Sequence, residues 1–115
     1  MKSIAIPTTK LESKEGCIAS AMNVIGNKWT ALLLRDLYAG PKRFGELERS
    51  LVGISPRTLS QRLDDLEQCG IIIKKAYQEA PPHTEYSLTE KGSDLVPVLQ
   101  QMAAWGTKYY DRSLV

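Results

Sequence analysis

The segment running from Ser55-Pro56 to Gly70 limits most strictly what this chain can fold into. Ser55 suits a helix N-cap, where a side-chain oxygen accepts an otherwise unpartnered N–H, and Pro56 suits the next position, where its missing N–H costs nothing. Leu59, Leu63 and Leu66 recur at helical spacing and form one narrow apolar stripe. Gly70 stops the helix, and Ile71-Ile72-Ile73 begins a strand. At about 100° per residue, Arg57 and Gln61 project opposite the leucines, with Thr58 and Asp64 on the flanks. Such a helix buries one side and turns outward polar side chains that can hydrogen-bond base edges. Recognition helices read DNA with their N-terminal residues, which is where Arg57, Thr58 and Gln61 stand.

With 115 residues, 43 % of them hydrophobic, the chain has material for one domain with a real core. No apolar run approaches the ~18 residues that span a membrane. Residues 1–9 contain no apolar stretch of secretory length, so a cytoplasmic protein is expected, without a membrane partner. A net charge of +2 does not point to nucleic acid, but its distribution does. Between Gly40 and Leu63, Lys42, Arg43, Arg49, Arg57 and Arg62 face only Glu46 and Glu48. Asp64, Asp65 and Glu67 then carry the negative charge to the far end of the helix. That polarity adds to the positive helix N-terminus and suits phosphate, although solvated helices show it too.

Two cysteines, Cys17 and Cys69, are too few for a disulfide framework and too distant for a CxxC motif. One histidine, His83, leaves most zinc and triad arrangements without their ligands. No metal or cofactor is expected. Nor is an enzyme, since paired carboxylates, a Cys/His pair and a glycine-rich loop are all missing from the sequence.

Periodicity organises the remainder. Residues 1–14 read as a flexible arm and 15–115 as a single domain. Helices are expected over 17–25, 28–39, 44–51 and 56–69, with Trp29 in the core and Gly40-Pro41 ending the second. The helices at 44–51 and 56–69, joined by a short turn containing Gly53, form a helix-turn-helix. Lys42-Arg43 can be no more than an edge strand. Strands at 71–77 and 84–88 make a hairpin whose loop, Gln78 to His83, is stiffened by Pro81 and Pro82. Thr89 caps a further helix. Beyond it Leu95, Val98, Met102, Trp105 and Tyr109 follow alternating spacings of three and four, a seam that calls for a symmetric partner. Ile18 and Met22, on one face of the first helix, are assigned to the same interface. The fold class is α+β, mostly α: a winged helix-turn-helix with a two-stranded wing and added N- and C-terminal dimerisation helices.

Several short motifs stand in a fixed order along this chain. They are Cys17 ahead of Ile25-Gly26-Asn27-Lys28-Trp29, then Gly40-Pro41-Lys42-Arg43-Phe44-Gly45-Glu46-Leu47, Gly53-Ile54-Ser55 and Leu59-Ser60-Gln61-Arg62-Leu63. Leu66-Glu67-Gln68-Cys69-Gly70-Ile71, Pro81-Pro82, Glu85-Tyr86-Ser87-Leu88-Thr89-Glu90-Lys91-Gly92 and Trp105-Gly106 follow. In this order they resemble the HxlR-type winged-helix transcriptional regulators, relatives of the MarR-type proteins. The resemblance implies a homodimer that binds a pseudo-palindromic operator on double-stranded DNA, with helix 56–69 in the major groove and loop 78–84 as the wing. It also implies, for some members, sensing of an oxidant or a small electrophile through a cysteine placed as Cys17 is. The C-terminal cysteines of other members have no counterpart, because Cys69 is the last cysteine.

On this reading Arg57, Thr58 and Gln61 read bases. Lys42, Arg43, Ser55, Lys74, Lys75 and His83 hold the DNA backbone, and Arg62, nearer the leucine stripe, holds a phosphate or packs. Cys17, between Lys14 and Lys28, is either a small buried apolar residue or a thiolate favoured at a helix N-terminus. Cys69, at a helix C-terminus, is expected to be inert. The competing class is a winged helix that binds protein rather than DNA, which would need an apolar or acidic face where Arg57 stands.

Overall fold

The computed structural model describes residues 18–110. Cys17, the arm 1–14 and the last residues of the chain lie outside them. Four helices come first: α1 (Ile18–Ile25), α2 (Lys28–Tyr38), α3 (Phe44–Ser50) and α4 (Pro56–Gln68), with strand β1 (Lys42–Arg43) between α2 and α3. Strands β2 (Ile72–Tyr77) and β3 (His83–Leu88) follow, then α5 (Glu90–Ser93) and α6 (Val96–Lys108).

Helices α2 to α5 begin where a side chain partners a backbone N–H at the helix start. Asn27 caps α2, its Oδ1 accepting from the Trp29 N–H at 2.8 Å. In α3 the bond runs the other way, the Arg43 N–H donating to Glu46 Oε1 at 2.8 Å. Ser55 Oγ accepts from the Thr58 N–H at 3.0 Å, and Pro56 opens α4 as expected. Gly53, with φ +94°, makes the helix-turn-helix corner in a backbone region that side chains disfavour. Gly70, at φ +75°, does the same where α4 gives way to β2.

The core is one cluster. Leu33, Leu34, Leu47, Leu51, Leu59, Leu63, Ile71 and Ile72 are fully buried, with Trp29, Phe44, Tyr86, Leu88, Leu95 and Leu99 packed around them. Each such leucine or isoleucine contributes roughly 1.5–3 kcal/mol relative to exposure. The stripe Leu59, Leu63 and Leu66 is therefore what turns Arg57 and Gln61 outward.

Lys42–Arg43 is the edge strand that the sequence allowed: the sheet order is β1-β3-β2, with Lys42 opposite Tyr86 and Arg43 opposite Glu85. Two results differ from the sequence reading. His83 is not in the loop but is the first residue of β3, paired with Tyr77. Leu95 does not stand on the open seam: it caps α6 and packs against the core of its own chain. Pro97 in the first turn of α6 fits a fresh helix start there, so the terminal helix is two pieces rather than one.

The joint between α4 and the terminal helices is stitched by side chains. Thr89 Oγ1 accepts from the Gly92 N–H at 3.1 Å and donates to the Gly70 and Ile71 carbonyls. Lys91 Nζ donates to the Cys69 carbonyl at 2.7 Å, satisfying an end of α4 that has no intrahelical partner.

Candidate nucleic-acid interface

The outward face of α4 holds residues in different states of commitment. Arg57 is exposed, and among the described residues no hydrogen bond or ion pair holds it. Thr58 is half-buried: its Oγ1 accepts from the Ser55 hydroxyl at 2.9 Å, so each of these two side chains occupies the other. Gln61 is exposed, but its Nε2 donates to Asp65 Oδ1 at 2.9 Å. Arg62 makes an ion pair from Nη2 to Asp65 Oδ2 at 2.9 Å, its side chain is 28 % exposed, and its Nε is buried without a partner. Of the two roles left open for Arg62, the geometry supplies packing and an internal ion pair in place of a cation freely offered to phosphate.

Strand register sorts the wing cations. Residues directly opposite each other in a ladder share a face, and neighbours along a strand alternate. Lys42 and Lys74 both stand opposite Tyr86 and share one face of the sheet; Arg43 and Lys75 both stand opposite Glu85 and share the other. Lys74 and Lys75, grouped by the sequence as one basic pair, thus diverge. Period-two alternation carries that signal, and the pairing to β1 completes it. Burial raises the pKa of the Tyr86 hydroxyl; nearby Lys74 opposes the rise and the carboxylates of Asp64 and Glu67 add to it. The acidic end of α4 therefore lies on the Lys74 side of the wing.

His83 does not present a free ring to the DNA backbone. Its ring stacks on Tyr77 with centroids 4.8 Å apart and planes 12° from parallel. Nδ1 lies 3.1 Å from the Pro81 carbonyl and Nε2 lies 3.2 Å from Glu85 Oε2. The pairing of Tyr77 with His83 is the cause, and a loop assignment for His83 hides it. Lys75 Nζ sits 5.2 Å from the centre of the Tyr77 ring, extending the same cluster.

Exposed apolar side chains also stand on the terminal helices. Val98, Met102 and Trp105 on α6 and Tyr109 at its end, with Ile18 and Met22 on α1, are exposed, Trp105 to 68 %. Trp105 and Tyr109 touch each other, ring centres 5.3 Å apart. Alongside Met102, α2 and α6 flank a half-open groove of about 520 Å³ lined by Leu32, Arg35, Tyr38, Leu99 and Met102 among others. Sequence reasoning missed it, since each helix was read for its own face and the groove belongs to neither alone. Exposed Tyr38 carried no signal for the same reason.

The described residues thus form a helix-turn-helix followed by the β2–β3 hairpin, with β1 at the edge of the same sheet and Arg57 exposed on α4. The HxlR-like helix-turn-helix model matches residues 24–114. The chain belongs to the HxlR-like helix-turn-helix family. Among the relatives of this HxlR-like protein is the uncharacterized HTH-type transcriptional regulator YdeP of Bacillus subtilis, 43 % identical over 85 % of this chain and 77 % of that one. Among solved structures, the redox regulator HypR in its oxidized form superposes with a TM-score of 0.76 at 39 % identity, covering 82 % of this chain and 97 % of that one. The reduced form of the transcriptional regulator YodB from B. subtilis gives 0.75 at 37 % identity, with 83 % and 93 % covered. This HxlR-like chain is a transcriptional regulator of the helix-turn-helix type. No helix among the described residues is long and apolar enough to cross a membrane.

Proposed function

We propose that this HxlR-like protein acts as a homodimer that binds a pseudo-palindromic operator on double-stranded DNA in the cytoplasm. Two α4 helices related by a twofold axis enter successive major grooves about 34 Å apart. Arg57 and Gln61 discriminate bases, and Lys42, Arg43, Lys74 and Lys75 hold phosphates on both sides of the wing. Ser55 and Thr58 shape the helix start and reach the DNA from it. The observation that carries this reading is Arg57, exposed and held by no partner among the described residues, on the side of α4 opposite the buried leucines. A polar, cationic face of this kind does not suit the alternative of a winged helix that docks on protein.

Arg57→Ala is the deciding variant. It is expected to cost ~1–3 kcal/mol of operator affinity and to relax the preference at one position of each half-site. Selection of bound sequences from a random duplex pool measures both. A preference unchanged at every position would overturn the assignment of this face.

Regulation by oxidants or electrophiles is the second part of the reading, and the likeness to the redox regulator HypR favours it. Cys17, outside the described residues, is the thiol assigned to it. Oxidation or alkylation there would alter how the dimer helices pack and so the spacing of the two reading heads. Cys17→Ser is expected to abolish the oxidant-dependent change in a DNA footprint. A full response in that variant would exclude the thiol.

A further inference from the structure

The structure assigns to Asp65 a positioning role: it holds the amide of Gln61 so that Gln61 selects adenine over guanine. The inference rests on the DNA-reading role proposed above and deepens it. A glutamine ends in one carbonyl acceptor and two N–H donors. A freely turning amide can offer both donors to guanine, whose major-groove edge presents the acceptors O6 and N7. It can equally offer its carbonyl and one donor to the N6–H and N7 of adenine.

Gln61 is not free to choose between these. Its Nε2 donates to Asp65 Oδ1 at 2.9 Å. A carboxylate only accepts, so turning the amide over would set two acceptors against each other. One N–H is thereby engaged, and what remains is one carbonyl and one N–H, the complement of adenine. Guanine would place O6 or N7 against the carbonyl oxygen. The other oxygen of Asp65 is fixed by Arg62 Nη2 at 2.9 Å, so the carboxylate is itself oriented by a half-buried guanidinium. Arg62 and Asp65 thus act through Gln61, and neither needs to touch the DNA.

Selection from a random duplex pool, using the full chain, tests this. The position read by Gln61 is the one whose preference vanishes in Gln61→Ala. There the unaltered protein is expected to enrich adenine over guanine by on the order of tenfold to a hundredfold. In Asp65→Ala the ratio is expected to fall to within about threefold. Asp65→Glu, which keeps a carboxylate that can only accept, is expected to retain most of the preference. A general structural defect would not be rescued in this way and would not be confined to one position; the position read by Arg57 should hold its preference in all three proteins. Asp65 is 46 % exposed and alanine is a strong helix former, so the variant keeps the fold. An adenine preference intact in Asp65→Ala, a guanine preference in the unaltered protein, or no position sensitive to Gln61 would each overturn the inference while operator binding persists. Failure of the unaltered protein to enrich any sequence would instead remove the DNA-reading role itself.

Discussion

Raising the salt concentration from about 50 to 200 mM is expected to weaken duplex binding by ~10³–10⁵-fold. The reason is local. The chain as a whole carries only +2, so it exerts little long-range attraction on DNA. The cations proposed to hold phosphate are instead gathered on the sheet, Lys42 and Lys74 on one face and Arg43 and Lys75 on the other. Across the proposed dimer they would make about eight phosphate contacts, each releasing condensed counterions when it forms. The same geometry predicts which cations matter. Lys42→Gln, altered in both protomers, should reduce the slope of log affinity against log salt by about 2. Arg62→Gln should leave the slope nearly unchanged, since its guanidinium is already paired with Asp65. Affinity titrations at four salt concentrations check all three, and a flat response would remove the electrostatic part of the account.

Replacing Met102 and Trp105 together by glutamate is expected to give a monomer and to lower operator affinity by ~10²–10⁴-fold. Both side chains are largely solvent-exposed in the single chain, so the double variant leaves the core of the protomer untouched. Two charges per protomer set into a twofold seam would face their own copies without counter-ions. Once the second reading head is no longer held near the first, its binding ceases to be intramolecular, and the effective concentration that coupled the half-sites is lost. Sedimentation gives the oligomeric state, and far-UV circular dichroism establishes that the protomer is folded. A dimer that survives the double substitution, or a monomer that binds as tightly as before, would refute the seam.

Helix α4 was legible because its evidence is local. Ser55, Pro56, the leucine stripe and Gly70 each act within a turn or two of their own position, and the structure places each in the role its spacing implied. Trp29, packed against the core, was legible for the same reason. Residues whose surroundings are assembled from distant segments were not. His83 is settled by its pairing with Tyr77 across the hairpin, and a proline-rich stretch gave no register with which to find it. Leu95 fits a heptad as well as Leu99 fits the core, and only the break between α5 and α6 decides where it points. A helical wheel sets Arg62 nearer the leucine stripe than Gln61 but does not show that a shared partner engages both. Asp65 lies within reach of both, three residues from one and four from the other, and an ion pair and an amide bond at those spacings are ordinary on helices. That signal was present in the sequence and was overlooked because the acidic residues were weighed as a group.

The fastening of Cys69, Gly70 and Ile71 to Thr89 and Lys91 has a mechanical consequence. With its far end hydrogen-bonded to α5, α4 is tied to the segment that leads through Leu95 into α6. On the proposed reading, a displacement of α6 at the dimer seam therefore reaches the DNA-facing helix through this joint.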